Sequence, residues 1–347
     1  MSASPEIQDG TSSDIRRGTV VVTAPGFDTD GDQTGARLRD SGLAVHVAGA
    51  RGNRQPGDVA QLMRGAIGAI VSSDPFTEDV FVAAPRLRVI ARLGVGTDSI
   101  DLAAATRAGV VVTTTPGLND ETCADHAVAL LLAATRRVVE HDASMRRGEW
   151  DRGGALTPWD LHGKRVGVIG HGRIGRSVVR RLRGFGTEIK IFDPQASPPA
   201  ELACATLHEL LAWADVVTLH APLTTATAGL IGPAELATMR AGAILVNTSR
   251  GGLVDSAALL QALTAGHLRA AALDVFEDEP PSDPAWRHLH NVVLSPHVGG
   301  LSIEAIEAMA RKCVEQVLDL LDGRAPDGIV NSAALERTSD PGCQPRQ

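Results

Sequence analysis

The run Gly170-His171-Gly172-Arg173-Ile174-Gly175 constrains this chain more than any other six residues. Before it stands Lys164-Arg165-Val166-Gly167-Val168-Ile169, a buried-strand pattern, and after it Ser177–Leu182 continues as a helix. A strand, a glycine turn and a helix in that order make a phosphate-binding element. Gly170 permits the tight turn, Gly172 lets the backbone approach a pyrophosphate, and Gly175 allows close helix–strand packing, while the helix N-terminus attracts negative charge. Asp193 ends the next strand, about 20 residues on, where a carboxylate accepts hydrogen bonds from the adenosine ribose and repels a 2′-phosphate. Pro194 and Gln195 follow without an arginine, so the pattern favours NAD over NADP. Such a motif also occurs as a plain surface turn, and an Asp before Pro opens ordinary turns; the context weighs against both.

Short β-branched runs alternate with amphipathic stretches on either side of this turn. Before it, Thr19–Thr23, Ala44–Val47, Ala69–Val71, Val89–Leu93 and Val110–Thr113 read as strands of a parallel α/β unit. From it onward, strands are expected at Arg165–Ile169, Glu188–Phe192, Val216–His220, Ala243–Asn247, Ala270–Asp274 and Val292–Ser295, a set that suits a dinucleotide-binding sheet. One long helix from Asn119 to about Arg147, opened by Asn119-Asp120-Glu121, is expected to connect the two. A last helical pattern, Ser302–Leu321, can return to the first unit. The expected class is therefore two-domain α/β: a Rossmann domain, 116–304, inserted into a discontinuous flavodoxin-like substrate domain, 18–115 plus 305–335. The cleft between two such domains is the natural ligand site. Residues 1–17 and 336–347 have the composition of frayed tails.

A chain of 347 residues, 44% of them hydrophobic, is long enough for roughly two such domains. With 33 Lys and Arg against 41 Asp and Glu, the net charge of −8 is spread rather than clustered, which argues against nucleic acid as a partner. No apolar stretch reaches the length of about 18 residues that a membrane helix needs, and no basic-then-apolar leader opens the chain, so a cytoplasmic location is expected. Cys123, Cys204, Cys313 and Cys343 have neither CxxC spacing nor a nearby histidine pair; they read as reduced and structural, and no metal is expected. There is no tyrosine at all. Mechanisms built on a phenolic acid, including the Tyr-Lys pair of short-chain dehydrogenases, are thereby excluded.

Oxidising a hydroxy acid requires a base for the hydroxyl proton, a cation for the carboxylate and a nicotinamide to take hydride. Arg250, in Asn247-Thr248-Ser249-Arg250-Gly251-Gly252, follows a strand directly, so it should project at the carboxyl edge of the sheet, where its guanidinium can grip a carboxylate. His297, in Ser295-Pro296-His297-Val298-Gly299-Gly300, stands just past another strand, with the two glycines giving room for a cofactor. Glu279 lies on the loop after a third. A carboxylate hydrogen-bonded to an imidazole favours its protonated form, so His297 and Glu279 would form a relay. Alone, His297 reads better as a satisfied structural histidine and Glu279 as a solvated loop acid, while Arg250 reads less readily as a surface arginine capping the strand end; their common placement at strand ends changes the balance. His220 ends a strand on the cofactor side, whereas His126, on the long helix, is equally suited to packing at the domain junction. The remaining histidines read as surface or packing residues.

With GHGRIG and Asp193, the segments HAPLTTATAGLI, LVNTSRGGLVD, AALDVFEDEP and LSPHVGG make the chain resemble the D-isomer-specific 2-hydroxyacid dehydrogenases from about Thr19 to Val330. The resemblance implies that Arg250, Glu279 and His297 are the catalytic set, with His297 the acid that protonates the carbonyl oxygen during reduction. It also implies NAD contacts at Arg173, Ile174, Asp193, Pro222, Thr227, Thr248, Ser249, Arg250, Asp274 and His297 to Gly300. For the substrate it implies Ser72 and the loop Arg92-Leu93-Gly94-Val95-Gly96-Thr97-Asp98, with Val95 and Gly96 presenting amides to the acid group. Members are commonly homodimers, a role suited to the long helix and to 146–161. Ser99, Thr114 and Ala124-Asp125-His126 depart from the commoner pattern without removing a catalytic group. Val71-Ser72-Ser73-Asp74-Pro75 lacks the arginine with which some phosphoglycerate dehydrogenases meet their substrate. Phosphoglycerate, a hydroxyalkylphosphonate and a small hydroxy acid all remain open as substrates, as does an NAD-sensing, corepressor-like protein without turnover.

Overall fold

The computed structural model describes residues 18–27, 33–50, 52, 54–150, 152–154 and 157–338. The tail expected at 1–17 lies outside them, as does that at 336–347 except for 336–338, which end a helix. The chain divides into two compact units: residues up to Asn119 together with those from Ser302, and Asp120–Leu301.

In the first unit, β1 (Thr19–Val22), α1 (Gln33–Asp40), β2 (Ala44–Val47), α2 (Pro56–Met63), β3 (Ala66–Val71), α3 (Glu78–Ala83), β4 (Val89–Arg92), α4 (Leu102–Arg107) and β5 (Val111–Thr113) alternate. The strands pair in parallel in the order β2-β1-β3-β4-β5, the flavodoxin-like arrangement. β3 begins at Ala66, earlier than the sequence pattern suggests, and is buried throughout, as a central parallel strand covered on both faces must be. One face packs Val59, Met63, Phe76 and Phe81. The other takes Met309, Cys313, Val314 and Val317 of the helix that returns from the end of the chain.

The second unit opens with α5 (Asp120–Arg136) and α6 (Val138–Arg146). It continues as β6 (Arg165–Ile169), α7 (Arg173–Arg183), β7 (Glu188–Phe192), α8 (Leu207–Trp213), β8 (Val216–Leu219), α9 (Pro233–Thr238), β9 (Ile244–Asn247), α10 (Ser256–Thr264), β10 (Ala270–Leu273) and β11 (Val292–Leu294). Its parallel sheet runs β11-β10-β9-β8-β6-β7, and Ala203 bridges in parallel to Ile191 beyond β7. The strand order therefore reverses between β6 and β8, which in open α/β sheets is where ligands bind. The chain then returns to the first unit through α11 (Ile303–Leu321), whose N-cap Ser302 accepts from the Ala305 amide at 3.1 Å, and α12 (Ala333–Thr338).

The single helix expected from Asn119 to Arg147 is instead two. Arg137 stands between α5 and α6 in the left-handed region, φ 51°. The Thr135 carbonyl there accepts from the Trp159 amide at 2.8 Å, while the Thr135 hydroxyl bonds back to the Leu131 carbonyl. The next two residues, Val138 and Val139, are β-branched, poor helix formers and exposed. The salt bridge from Arg137 to Glu140, 2.9 Å, holds the break.

Candidate active site

The three glycines of the turn have different surroundings. Gly170 has φ 96°, and a Cβ there would lie 2.5 Å from the His220 carbonyl oxygen, so the turn is pressed against the end of β8. A Cβ on Gly175 would lie 2.1 Å from the Gly170 carbonyl oxygen. Gly172, the N-cap of α7, has ordinary extended dihedrals, and a Cβ there would meet nothing within 4 Å. The protein itself thus makes no demand for glycine at this position, and the open space lies at a helix N-terminus.

Asp193 has a role in the fold as well. Its carboxylate accepts from the His171 amide at 2.6 Å and from the amides of Gln195 and Ala196 at 2.8 and 2.9 Å. Burial alone would raise its pKa, but these amides outweigh burial and hold the carboxyl below its ordinary value. A fixed anion therefore marks the end of β7. Ile174 packs part-buried against the core beneath the turn. Arg173 is engaged by Asp120 at the start of α5, 2.5 Å away.

Two polar atoms on this edge are buried and have no protein partner: His220 Nδ1 and Thr248 Oγ1. His220 Nε2 lies 2.9 Å from the Thr218 hydroxyl, and burial pushes the imidazole down to about 4, so it is neutral at neutral pH. Leaving such atoms unmet is costly. Together with the open space at Gly172 they fit a dinucleotide cofactor. Pro222 and Thr227 serve their own loop, since the Thr227 hydroxyl donates to the Pro222 carbonyl at 2.6 Å. Ser249 likewise spends its hydroxyl on the Leu219 carbonyl, 3.0 Å away.

The three proposed catalytic residues leave adjacent strands at the same edge: Arg250 after β9, Glu279 after β10 and His297 after β11. His297 Nδ1 lies 2.7 Å from Glu279 Oε2, and Glu279 Oε1 accepts from the Phe276 amide at 3.1 Å. Arg250 is part-buried and donates through Nη1 to the Ser249 carbonyl at 2.7 Å. His297 has φ 54°, a left-handed conformation that is uncommon for a residue with a Cβ.

Asp274 accounts for that conformation. Its side chain is 1% exposed and accepts from the Ser295 hydroxyl, the Val298 amide at 3.0 Å and the Gly299 amide at 2.7 Å. Its own carbonyl accepts from the His297 amide at 2.8 Å. Burial by itself would raise this carboxyl, but the hydrogen bonds from His126, Ser295 and the two amides hold it at about 2. The side chain expected to contact NAD is thus occupied by the loop that carries His297. A Cβ on Gly299 would lie 2.7 Å from Asp274 Oδ2 and 3.2 Å from His126 Cδ2, so the closure of the loop on Asp274 by itself requires glycine here. Gly300 lies in the turn that follows.

In the first unit Ser72 follows β3 and Val95 and Gly96 follow β4. The preceding Gly94 is tied to Thr115, whose hydroxyl accepts from the Gly94 amide at 2.8 Å. Asp74, two residues past Ser72, forms a buried pair with Arg54 at 3.0 Å. Arg54 also donates to the carbonyls of Ala48 and Gly49. The sequence left His126 open and gave no sign of Ser295. The available signal was a polar residue set among the buried Ala124, Ala127, Leu130 and Leu131 of one helix.

The fold and these strand-end residues define an α/β dinucleotide-dependent oxidoreductase. Residues 128–299 match the family model described as D-isomer specific 2-hydroxyacid dehydrogenase, NAD binding domain. The chain is 43% identical over 287 residues to a glyoxylate reductase of Korarchaeum cryptofilum, covering 80% of this chain and 86% of that one. It is 44% identical over 256 residues to a D-3-phosphoglycerate dehydrogenase of Mycobacterium bovis, covering 72% of this chain but only 48% of that relative. Among solved structures, the TT0316 protein from Thermus thermophilus superposes with a TM-score of 0.82 at 40% identity, covering 90% of this chain and 99% of that one. The chain belongs to the D-isomer specific 2-hydroxyacid dehydrogenases. It is an NAD-dependent enzyme acting on CH–OH groups. Among the described residues, no helix is long and apolar enough to cross a membrane.

Proposed function

We propose that this enzyme interconverts a small D-2-hydroxy acid and its 2-keto acid, with His297 and Glu279 as the acid–base pair and Arg250 as the carboxylate clamp. The observation that carries the reading is the 2.7 Å contact of His297 Nδ1 with Glu279. An ionised carboxylate only accepts, so Nδ1–H donates to it and Nε2 is the atom left to exchange a proton with substrate. NADH, when bound, would supply the hydride for the carbonyl carbon. The carbonyl oxygen then takes the proton from His297 Nε2, giving the hydroxyl; oxidation runs the same transfers backwards. Arg250 holds the substrate carboxylate in the same reading. Asp193, a fixed anion, disfavours the 2′-phosphate of NADP.

Arg54 is spent on a buried pair with Asp74, and the 71–75 stretch has no arginine of its own, which favours a substrate such as glyoxylate or hydroxypyruvate over phosphoglycerate. The phosphoglycerate reading is kept by the Mycobacterium relative, of which this chain spans about half. We further read the enzyme as a cytoplasmic homodimer, because Val138, Val139, Met145 and Trp150, the last 76% exposed, leave apolar surface on α6 and the segment after it. Sedimentation equilibrium tests this, and a monomer at micromolar concentration would remove it.

NADH oxidation measured with glyoxylate, hydroxypyruvate and phosphohydroxypyruvate tests the activity. Turnover of one of the unphosphorylated acids is expected. An NAD-sensing protein would bind NADH and turn over none of them.

A further inference from the structure

The left-handed His297 stays in place only while its loop remains closed on Asp274, and one side chain from a distant element completes that closure. His126, on α5, brings Nε2 to 3.0 Å from Ser295 Oγ and 3.2 Å from Asp274 Oδ1. The Ser295 hydroxyl donates to Asp274, so its oxygen is left to accept, and so is the carboxylate. Both neighbours of His126 Nε2 are then acceptors, which fixes that nitrogen as the protonated one. The ring also packs on the loop, since its Cδ2 is one of the atoms that a Cβ at Gly299 would meet. A buried carboxylate is tolerated only when its oxygens are satisfied, and those of Asp274 are satisfied from one side by the loop and from the other by α5.

We propose that His126 is a positioning residue for the reaction. It anchors Asp274 and Ser295 to α5 and thereby holds the imidazole of His297 against Glu279 and towards substrate. This rests on the reading of His297 as the acid–base group. His126 itself touches neither Glu279 nor any group that carries the proton. Its effect therefore belongs to kcat rather than to cofactor affinity, because a small displacement of the proton donor costs rate while leaving the nucleotide turn untouched.

The test compares His126→Leu, His126→Gln and Ser295→Ala with the wild-type enzyme, measuring kcat, KM for the keto acid that the enzyme turns over, NADH affinity and thermal stability. Glutamine reaches as far as histidine and keeps a donor; leucine fills space without one. His126→Leu is expected to lose roughly tenfold in kcat with unchanged NADH binding. His126→Gln should regain most of that loss, and Ser295→Ala should behave like the leucine variant. If His126→Leu fails to fold, Ser295→Ala, which removes only a hydroxyl, carries the test. Wild-type kcat in a folded His126→Leu or Ser295→Ala would overturn the proposal. Equal losses in the leucine and glutamine variants would do the same, since they would show packing rather than the hydrogen bond at work. His297→Asn in the same assay reports separately on the underlying reading: if it is fully active, that reading fails, whereas an inactive His297→Asn beside a fully active His126→Leu removes the positioning role alone.

Discussion

In the proposed reading Asp193 serves fold and specificity together. Its carboxylate collects the His171 amide of the glycine turn and two amides of its own loop, so the charge that disfavours a 2′-phosphate also fastens the turn in place. Exchanging it changes both. Asp193→Ser combined with Gln195→Arg is expected to move the ratio of kcat/KM for NADH over NADPH at least tenfold towards NADPH, by removing a repulsion and adding a guanidinium. Overall activity should fall, because serine cannot replace three accepted bonds. An unchanged ratio would show that cofactor choice lies elsewhere. His297 carries a comparable double demand. Its left-handed backbone, φ 54°, costs a residue with a Cβ roughly 1–2 kcal/mol, and the bonds to Asp274 are what offset it.

The turn between β6 and α7 separates glycines that the protein requires from one that it does not. Gly170→Ala places a Cβ against the His220 carbonyl in a positive-φ conformation, so the variant should unfold at lower urea concentration, by about 1–2 kcal/mol or more. Gly172→Ala meets no protein atom within 4 Å; it should keep its stability and lose NADH affinity. If Gly172→Ala binds NADH as the wild type does, the pyrophosphate does not approach there. All three glycines were legible in the sequence because strand, turn and helix are written locally, as were ten of the eleven strands to within a residue at either end. The exception was β3, which begins at Ala66 rather than Ala69 because Ala66, Ile67 and Gly68 give no alternation to mark its start. The break at Arg137 was not legible. It depends on the Thr135 carbonyl turning to Trp159, a contact that no helical periodicity encodes. The same holds for the Asp274 cluster. The family resemblance assigns Asp274 and Gly299 to the cofactor, and their use in closing the His297 loop emerges only when His126 arrives from α5.

At the scale of the whole molecule, the buried neutral His220 couples stability to pH. Its folded pKa of about 4 lies below the ordinary 6.5, so between those values the unfolded chain binds the additional proton. Stability therefore rises with pH across that window and is lost as pH falls from about 6.5 towards about 4. His220→Phe should show a smaller drop in melting temperature than the wild type between pH 7 and pH 5; an equal drop would mean that this ring does not titrate as burial demands. The flavodoxin-like unit carries the 94–96 loop, tied down through Thr115, and the Rossmann unit carries the glycine turn together with Arg250, Glu279 and His297. The central claim is that His297 exchanges the proton in a reaction whose hydride comes from NADH. It is tested most directly by comparing wild type and His297→Asn in NADH oxidation by glyoxylate, with NADH binding followed by fluorescence titration. The expected result is a loss of roughly 10²–10⁴-fold in kcat with NADH binding retained; turnover by His297→Asn at the wild-type rate would contradict it.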